Sequence, residues 1–199
     1  MKRVLIAMIV VLASGLGSLP STARADPPLV VKPLAEKKVP ELPAGTLFWR
    51  IENFTALAQA QAAAGPWSLV AESAGKVWLF TLGPAGGSSA GGTKAAEFGP
   101  IPRLVAPQYL LRINEASGPP GSTTPVHAHP GSEAFFVLAG EQSIRSPHGV
   151  MRVKVGQPAT GHGADTLMQV SSSGSTDLHS LVMFVLDATK PFSSPAKFP

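Results

Sequence analysis

From Leu47 onward the chain is a series of short apolar runs punctuated by glycine and proline. Leu47 to Ile51, Lys76 to Leu82, Gln108 to Asn114, Gly149 to Val155, Leu167 to Val170 and Leu178 to Leu186 are too short for helices. They are rich in β-branched and aromatic residues, so they read as strands. After Pro130-Gly131 a further run opens at Glu133 and continues from Ala134 to Leu138. Its alternation puts Glu133, Phe135 and Val137 on one face. Thr55 to Ala64, rich in Ala and Gln and closed by Gly65-Pro66, reads as a short helix with Asn53 or Thr55 near its cap. Gly83 to Gly92 reads as a mobile hairpin connection. Its Gly-Gly-Ser-Ser-Ala-Gly-Gly-Thr93-Lys94 lacks the spacing and the Lys-Thr order of a phosphate-binding loop. Many short strands, one helix and no internal repeat predict an all-β barrel or sandwich.

The ends of the chain read differently. Lys2-Arg3, nine apolar residues from Val4 to Leu12, and Ala23-Arg24-Ala25 have the order of an export signal with a cleavage site. A membrane span needs about twenty apolar residues, and Ser14, Gly15 and Gly17 interrupt this run early. Residues 1–25 therefore predict export to a periplasmic or secreted location, with no stable membrane anchor after cleavage. Residues 26–44 carry five prolines among Lys and Glu and read as an extended tether. Residues 45–107 read as an amino-terminal extension, 108–190 as the core of the domain, and 191–199 as a Pro/Ser tail with no signal of its own.

Charge and cysteine narrow the function. The chain has 16 Lys plus Arg against 12 Asp plus Glu. Cleavage would remove Lys2, Arg3 and Arg24, leaving 13 against 12, and no basic cluster with interleaved aromatics remains. Nucleic acid is therefore not an expected partner. There is no cysteine, so an exported chain of this kind must hold together by its core, with metal as a further contributor.

The chemistry concentrates between Gly121 and Gly140. His127 and His129, one residue apart, share a side of an extended strand and can share an ion. Glu133 brings a carboxylate to them. Two imidazoles and one carboxylate, with positions left open, suit a redox or Lewis-acid divalent metal better than a closed structural zinc site. His179, beside Ser180 at a strand start, reads as half-exposed structure.

The spacing Gly121, five residues, His127-x-His129, three residues, Glu133, six residues, Gly140 is similar throughout to the first motif of the cupins. The resemblance covers residues 108 to 187 and implies a cupin-type double-sheet, jelly-roll-like β-barrel. The extension with its short helix would wrap on the barrel or add strands to it. His127, His129 and Glu133 would be ligands of one divalent ion, its identity among Fe, Mn, Zn, Ni and Cu left open. The second motif diverges: Gly156-Gln157 stands where the family has Gly-Asp, and alignment through Ala164-Asp165-Thr166 puts Met168 at the last ligand position. A thioether suits soft or copper-like ions, and the plainer role of Met168 is to fill the core. His162, between two glycines, is the other candidate for the fourth ligand.

For function, the resemblance implies a metal-dependent enzyme, oxygenase-like, acting on a small molecule. The alternative is a non-catalytic module that binds a small molecule or metal. Barrels of this class often pair through outer strands, which implies a homodimer. No general base stands out, and turn geometry explains Asp165.

Overall fold

The computed structural model describes residues 27–199, so the export signal lies outside the described residues. In chain order the elements are β1 (Val30–Val39), β2 (Phe48–Phe54), α1 (Leu57–Ala63), β3 (Ser68–Ser73), β4 (Lys76–Gly83), β5 (Thr93–Phe98), β6 (Tyr109–Gly118) and β7 (His127–Ala128). They continue as β8 (Gly131–Ala139), β9 (Glu141–Ser146), β10 (Gly149–Lys154), β11 (Pro158–Thr160), β12 (Gln169–Ser172), β13 (Leu178–Asp187) and β14 (Ser194–Pro195).

Three antiparallel layers result. The middle one is a five-stranded sheet in the order β1-β6-β13-β8-β11. Its inner strands are apolar on both faces, which explains why β8 and β13 read as nearly continuous hydrophobic runs. Alternation divides them: Phe135, Val137, Val182 and Phe184 pack toward the three-stranded sheet β10-β9-β12, meeting Ile144, Val153 and Val170. Ala134, Phe136, Leu181 and Met183 pack the other way, against Trp49, Trp78 and Phe80 of the four-stranded sheet β3-β4-β2-β5. Trp78 and Phe136 meet edge-on at 6.1 Å across that second interface. Among the described residues the fold is all-β with one helix, as the runs predict, but no sheet closes into a barrel.

Four expectations change. Residues 30–39 are not a tether: they form β1, paired with β6 at the edge of the middle sheet. Prolines and lysines are tolerated there because an edge strand has one unpaired side, and the register shift between Pro33 and Ala35 absorbs the missing N–H. The extension is a sheet of its own, and it includes β5, a strand the sequence pattern did not reveal. The helix starts after Ala56, with no side-chain cap; Thr55 instead donates its hydroxyl to Gln59. The glycine-rich connection is tied down, because Ser89 donates both its N–H and its hydroxyl to the fully buried Glu52 at 2.7 Å. Arg50 in turn bonds Glu52 at 3.0 Å and the carbonyl of Gly86 at 3.0 Å.

One motif glycine has a clear physical reason. Gly140 turns the chain from β8 to β9 at φ +73°, and a Cβ there would stand 2.6 Å from the Asp177 carbonyl oxygen.

Candidate functional site

The two histidines sit where β7 is held from both sides. His127 and Met168 exchange backbone hydrogen bonds of 2.9 and 2.8 Å, while β14 pairs with β7 through Ser194 opposite Ala128 and Pro195 opposite His127. One residue on, the carbonyl of His129 accepts the N–H of Asp165, whose own φ of +61° marks the turn there. Glu133 follows two residues into β8, opposite Phe184 of β13. Gly161 passes directly over it: a Cβ at Gly161 would lie 2.9 Å from Cγ of Glu133.

His127, His129 and Glu133 all face one cavity of about 320 Å³ between the middle sheet and the three-stranded sheet. Their common-face placement agrees with the sequence reading. The remaining wall is largely apolar, with Phe135, Val170, Val182 and Phe184 from the sheets, Leu29 and Val31 from the β1 side, and Phe192 from the tail.

Both imidazoles are held through the same nitrogen. Nδ1 of His127 lies 2.8 Å from the carbonyl of Pro125, and Nδ1 of His129 lies 2.7 Å from the carbonyl of Phe192. A carbonyl only accepts, so each Nδ1 carries the proton, and in the neutral ring Nε2 keeps its lone pair. Glu133 is buried and its Oε1 has no hydrogen-bond partner.

Burial governs the charges. It pushes the Glu133 carboxyl up to about 8. It pulls His129 down to about 4, against the Phe192 carbonyl and with help from His127 and Arg112. At pH 7 Glu133 is therefore a neutral carboxylic acid and His129 a neutral imidazole. Their closest approach, 4.0 Å between His129 Nε2 and Glu133 Oε2, is neither a hydrogen bond nor an ion pair at that pH.

The donors are of the kind a divalent ion takes, but they are not arranged around one. Among the described residues no three His, Cys, Asp or Glu side chains form a group that could hold a metal. The two further ligand candidates lie elsewhere. Met168 is fully buried among Ile144, Val153 and Val170 and is not on the cavity wall. His162 is also off the wall; its ring stands 6.1 Å from that of His148, and its backbone carbonyl accepts the N–H of Glu133 at 3.4 Å. Met168 of the divergent second motif takes the core-filling place that is its plainer role. His179 donates to Glu115 at 2.7 Å, in the structural role expected of it.

The tail contributes what the sequence did not signal. Phe192 packs on His129 at 4.8 Å and on Phe184 at 5.0 Å, and Phe192, Ser193 and Pro195 help to wall the cavity. Nothing local in a Pro/Ser segment marks it, since its role depends on β14 pairing with a strand more than sixty residues earlier.

No family model matches the chain, and no curated protein matches it. Among solved structures it is similar to a cupin-like protein from Thermotoga maritima, with 14% identity, 43% of this chain and 64% of that chain covered, and a TM-score of 0.39. It is also similar to a cupin superfamily protein from Desulfitobacterium hafniense (16% identity, 39% of this chain and 68% of that chain, TM-score 0.35). A third is a DMSP lyase from Ruegeria pomeroyi (22% identity, 43% of each chain, TM-score 0.37). These likenesses cover less than half of this chain and concern the arrangement of its sheets alone.

Proposed function

We propose that this chain is an exported, cupin-type module that binds a small molecule, and that its ligand has a compact apolar body with one neutral hydroxyl group. The observation that carries this reading is the mostly apolar cavity on which His127, His129 and Glu133 gather. A protonated Glu133 can donate one hydrogen bond and an imidazole Nε2 can accept one. A hydroxyl group satisfies both, whereas an ion would enter a site with little charge to meet it. A cavity of about 320 Å³ suits a molecule of one or two rings.

The test is a fluorescence titration with 2-naphthol, set against quenching or solubility measurements with naphthalene. The expected result is that 2-naphthol binds roughly tenfold tighter or better, as one buried hydrogen-bonded group allows. His129→Ala should erase most of that difference. Equal affinities for the two probes would remove the polar part of the reading, and no binding of either would remove the whole.

A second reading, an oxygenase-like metal enzyme with His127, His129 and Glu133 as ligands, is favoured by one feature: both Nδ1 atoms are held by carbonyls, the usual support for imidazoles that ligate through Nε2. A bound divalent ion would supply Lewis-acid or redox chemistry, and Glu133 would have to release its proton to join the shell. Elemental analysis of protein purified without chelator or metal-affinity tag tests this. Stoichiometric metal that disappears in both His127→Ala and Glu133→Ala would establish it, and its absence would leave the binding module.

A further inference from the structure

A cation stands directly behind the cavity wall. Arg112 on β6 lays its guanidinium over the ring of Phe192, 4.2 Å from the ring centre. Its Nε donates to Oδ1 of Asn114 at 2.8 Å. Phe192 and Asn114 both line the cavity, whereas Arg112 does not. On its outer side, Nη1 of Arg112 meets Glu36 at 3.2 Å, but the Glu36 side chain is 58% exposed. An ion pair of that kind is largely screened and leaves the guanidinium with N–H groups to spare. The ring of Phe192 also packs on His129 and Phe184. A phenyl group is thus inserted between the guanidinium and the space a ligand would occupy.

We infer that Phe192 is a specificity-determining residue of this cavity: its ring keeps Arg112 from the ligand and so selects neutral molecules over carboxylates of similar size. The inference rests on the small-molecule reading above. It differs from a packing role for Phe192, because loss of packing weakens every ligand alike, whereas loss of a screen favours anions only. With the ring gone, a carboxylate could take a charge-assisted, two-pronged hydrogen bond from Arg112 across the vacated space.

The experiment compares 2-naphthol with 2-naphthoate at pH 7 on the purified chain, on Phe192→Ala and on Phe192→Ala combined with Arg112→Gln. The unaltered chain should prefer 2-naphthol by about tenfold or more, and Phe192→Ala should move the affinity ratio toward 2-naphthoate by at least about tenfold, the scale of one charge-assisted hydrogen bond. Adding Arg112→Gln should abolish that movement. Phe192→Leu, which keeps an apolar side chain against His129, carries the same comparison if the alanine variant fails to fold. An unchanged ratio overturns the inference, as does a movement that survives Arg112→Gln or an unaltered chain that takes both probes equally. If the unaltered chain binds neither, the small-molecule reading itself fails and the inference falls with it.

Discussion

His129 and Phe192, 63 residues apart in the chain, are joined twice: the imidazole Nδ1 meets the Phe192 carbonyl at 2.7 Å, and the two rings pack at 4.8 Å. The hydrogen bond sets the tautomer, and the ring contact removes water. The hydrogen bond by itself favours the protonated ring, but burial, to which the ring contact contributes, outweighs it and keeps His129 a neutral acceptor. Both contacts tie the end of the chain to the residues that face the cavity.

That neutrality has a pH signature. Burial holds Glu133 up to about 8 from its ordinary 4.5, so between those values the folded chain keeps a proton that the unfolded chain releases, and stability falls as pH rises. His129, held down to about 4 from 6.5, acts oppositely: the unfolded chain takes up its proton first, and stability falls as pH drops from 6.5 to 4. The two slopes oppose each other between 4.5 and 6.5, and from 6.5 to 8 only Glu133 acts. The expected loss over that last interval is about 2 kcal/mol, from roughly 1.4 kcal/mol per pH unit for one group. Urea unfolding at both ends of the interval measures it, and Glu133→Gln should flatten it. A native chain equally stable at the two values would contradict the buried neutral acid.

The four-stranded sheet should unfold together with the middle sheet, because Phe136 of β8 reaches out of the middle sheet to Trp78 of β4. Phe136→Ala should cost roughly 3–5 kcal/mol, the usual range for a buried phenylalanine. Denaturation should remain a single transition when followed by tryptophan fluorescence and by far-ultraviolet circular dichroism. Two separated transitions would mean that the layers are independent units.

Glu52 is the clasp of the glycine-rich connection. Burial pushes its carboxyl up, but the hydrogen bonds from Ser89 and the Arg50 guanidinium more than offset this and hold it below the ordinary value. Glu52→Ala would remove the carboxylate that binds Ser89 and Arg50, leaving the guanidinium only its contacts with Gly86 and Ser89, and should cost about 3 kcal/mol. It should also expose residues 84–92 to limited proteolysis while the site around His129 keeps its affinity for 2-naphthol. Resistance to protease equal to that of the native chain would show that the loop is held by other means.

Export should remove residues 1–25. Mass spectrometry of the protein recovered from the periplasm or medium should find Asp26 at the amino terminus, as Ala23-Arg24-Ala25 predicts. An intact Met1 in the membrane fraction would contradict both the cleavage and the compartment.

The local pattern was enough for β2, β4, β6, β8, β10, β12 and β13 and for the strand faces that carry three site residues, but not for β1 or β5. Side chains along a strand alternate, so spacing placed His127 with His129 and Glu133 with Phe135 on strand faces, and the cupin resemblance implied the shared interior site, where the cavity gathers all four. Other features depend on which strand lies beside which. Lysines and prolines read the same in a solvated tether and in a protected edge strand, and only the pairing of β1 with β6 distinguishes them. Met168 fills the core, the plainer of its two readings, whereas Phe192, in a tail that carried no signal of its own, walls the site. Tertiary structure decided both, because a side chain's burial, and the charge a neighbouring group can hold, depend on distant residues brought to the same place.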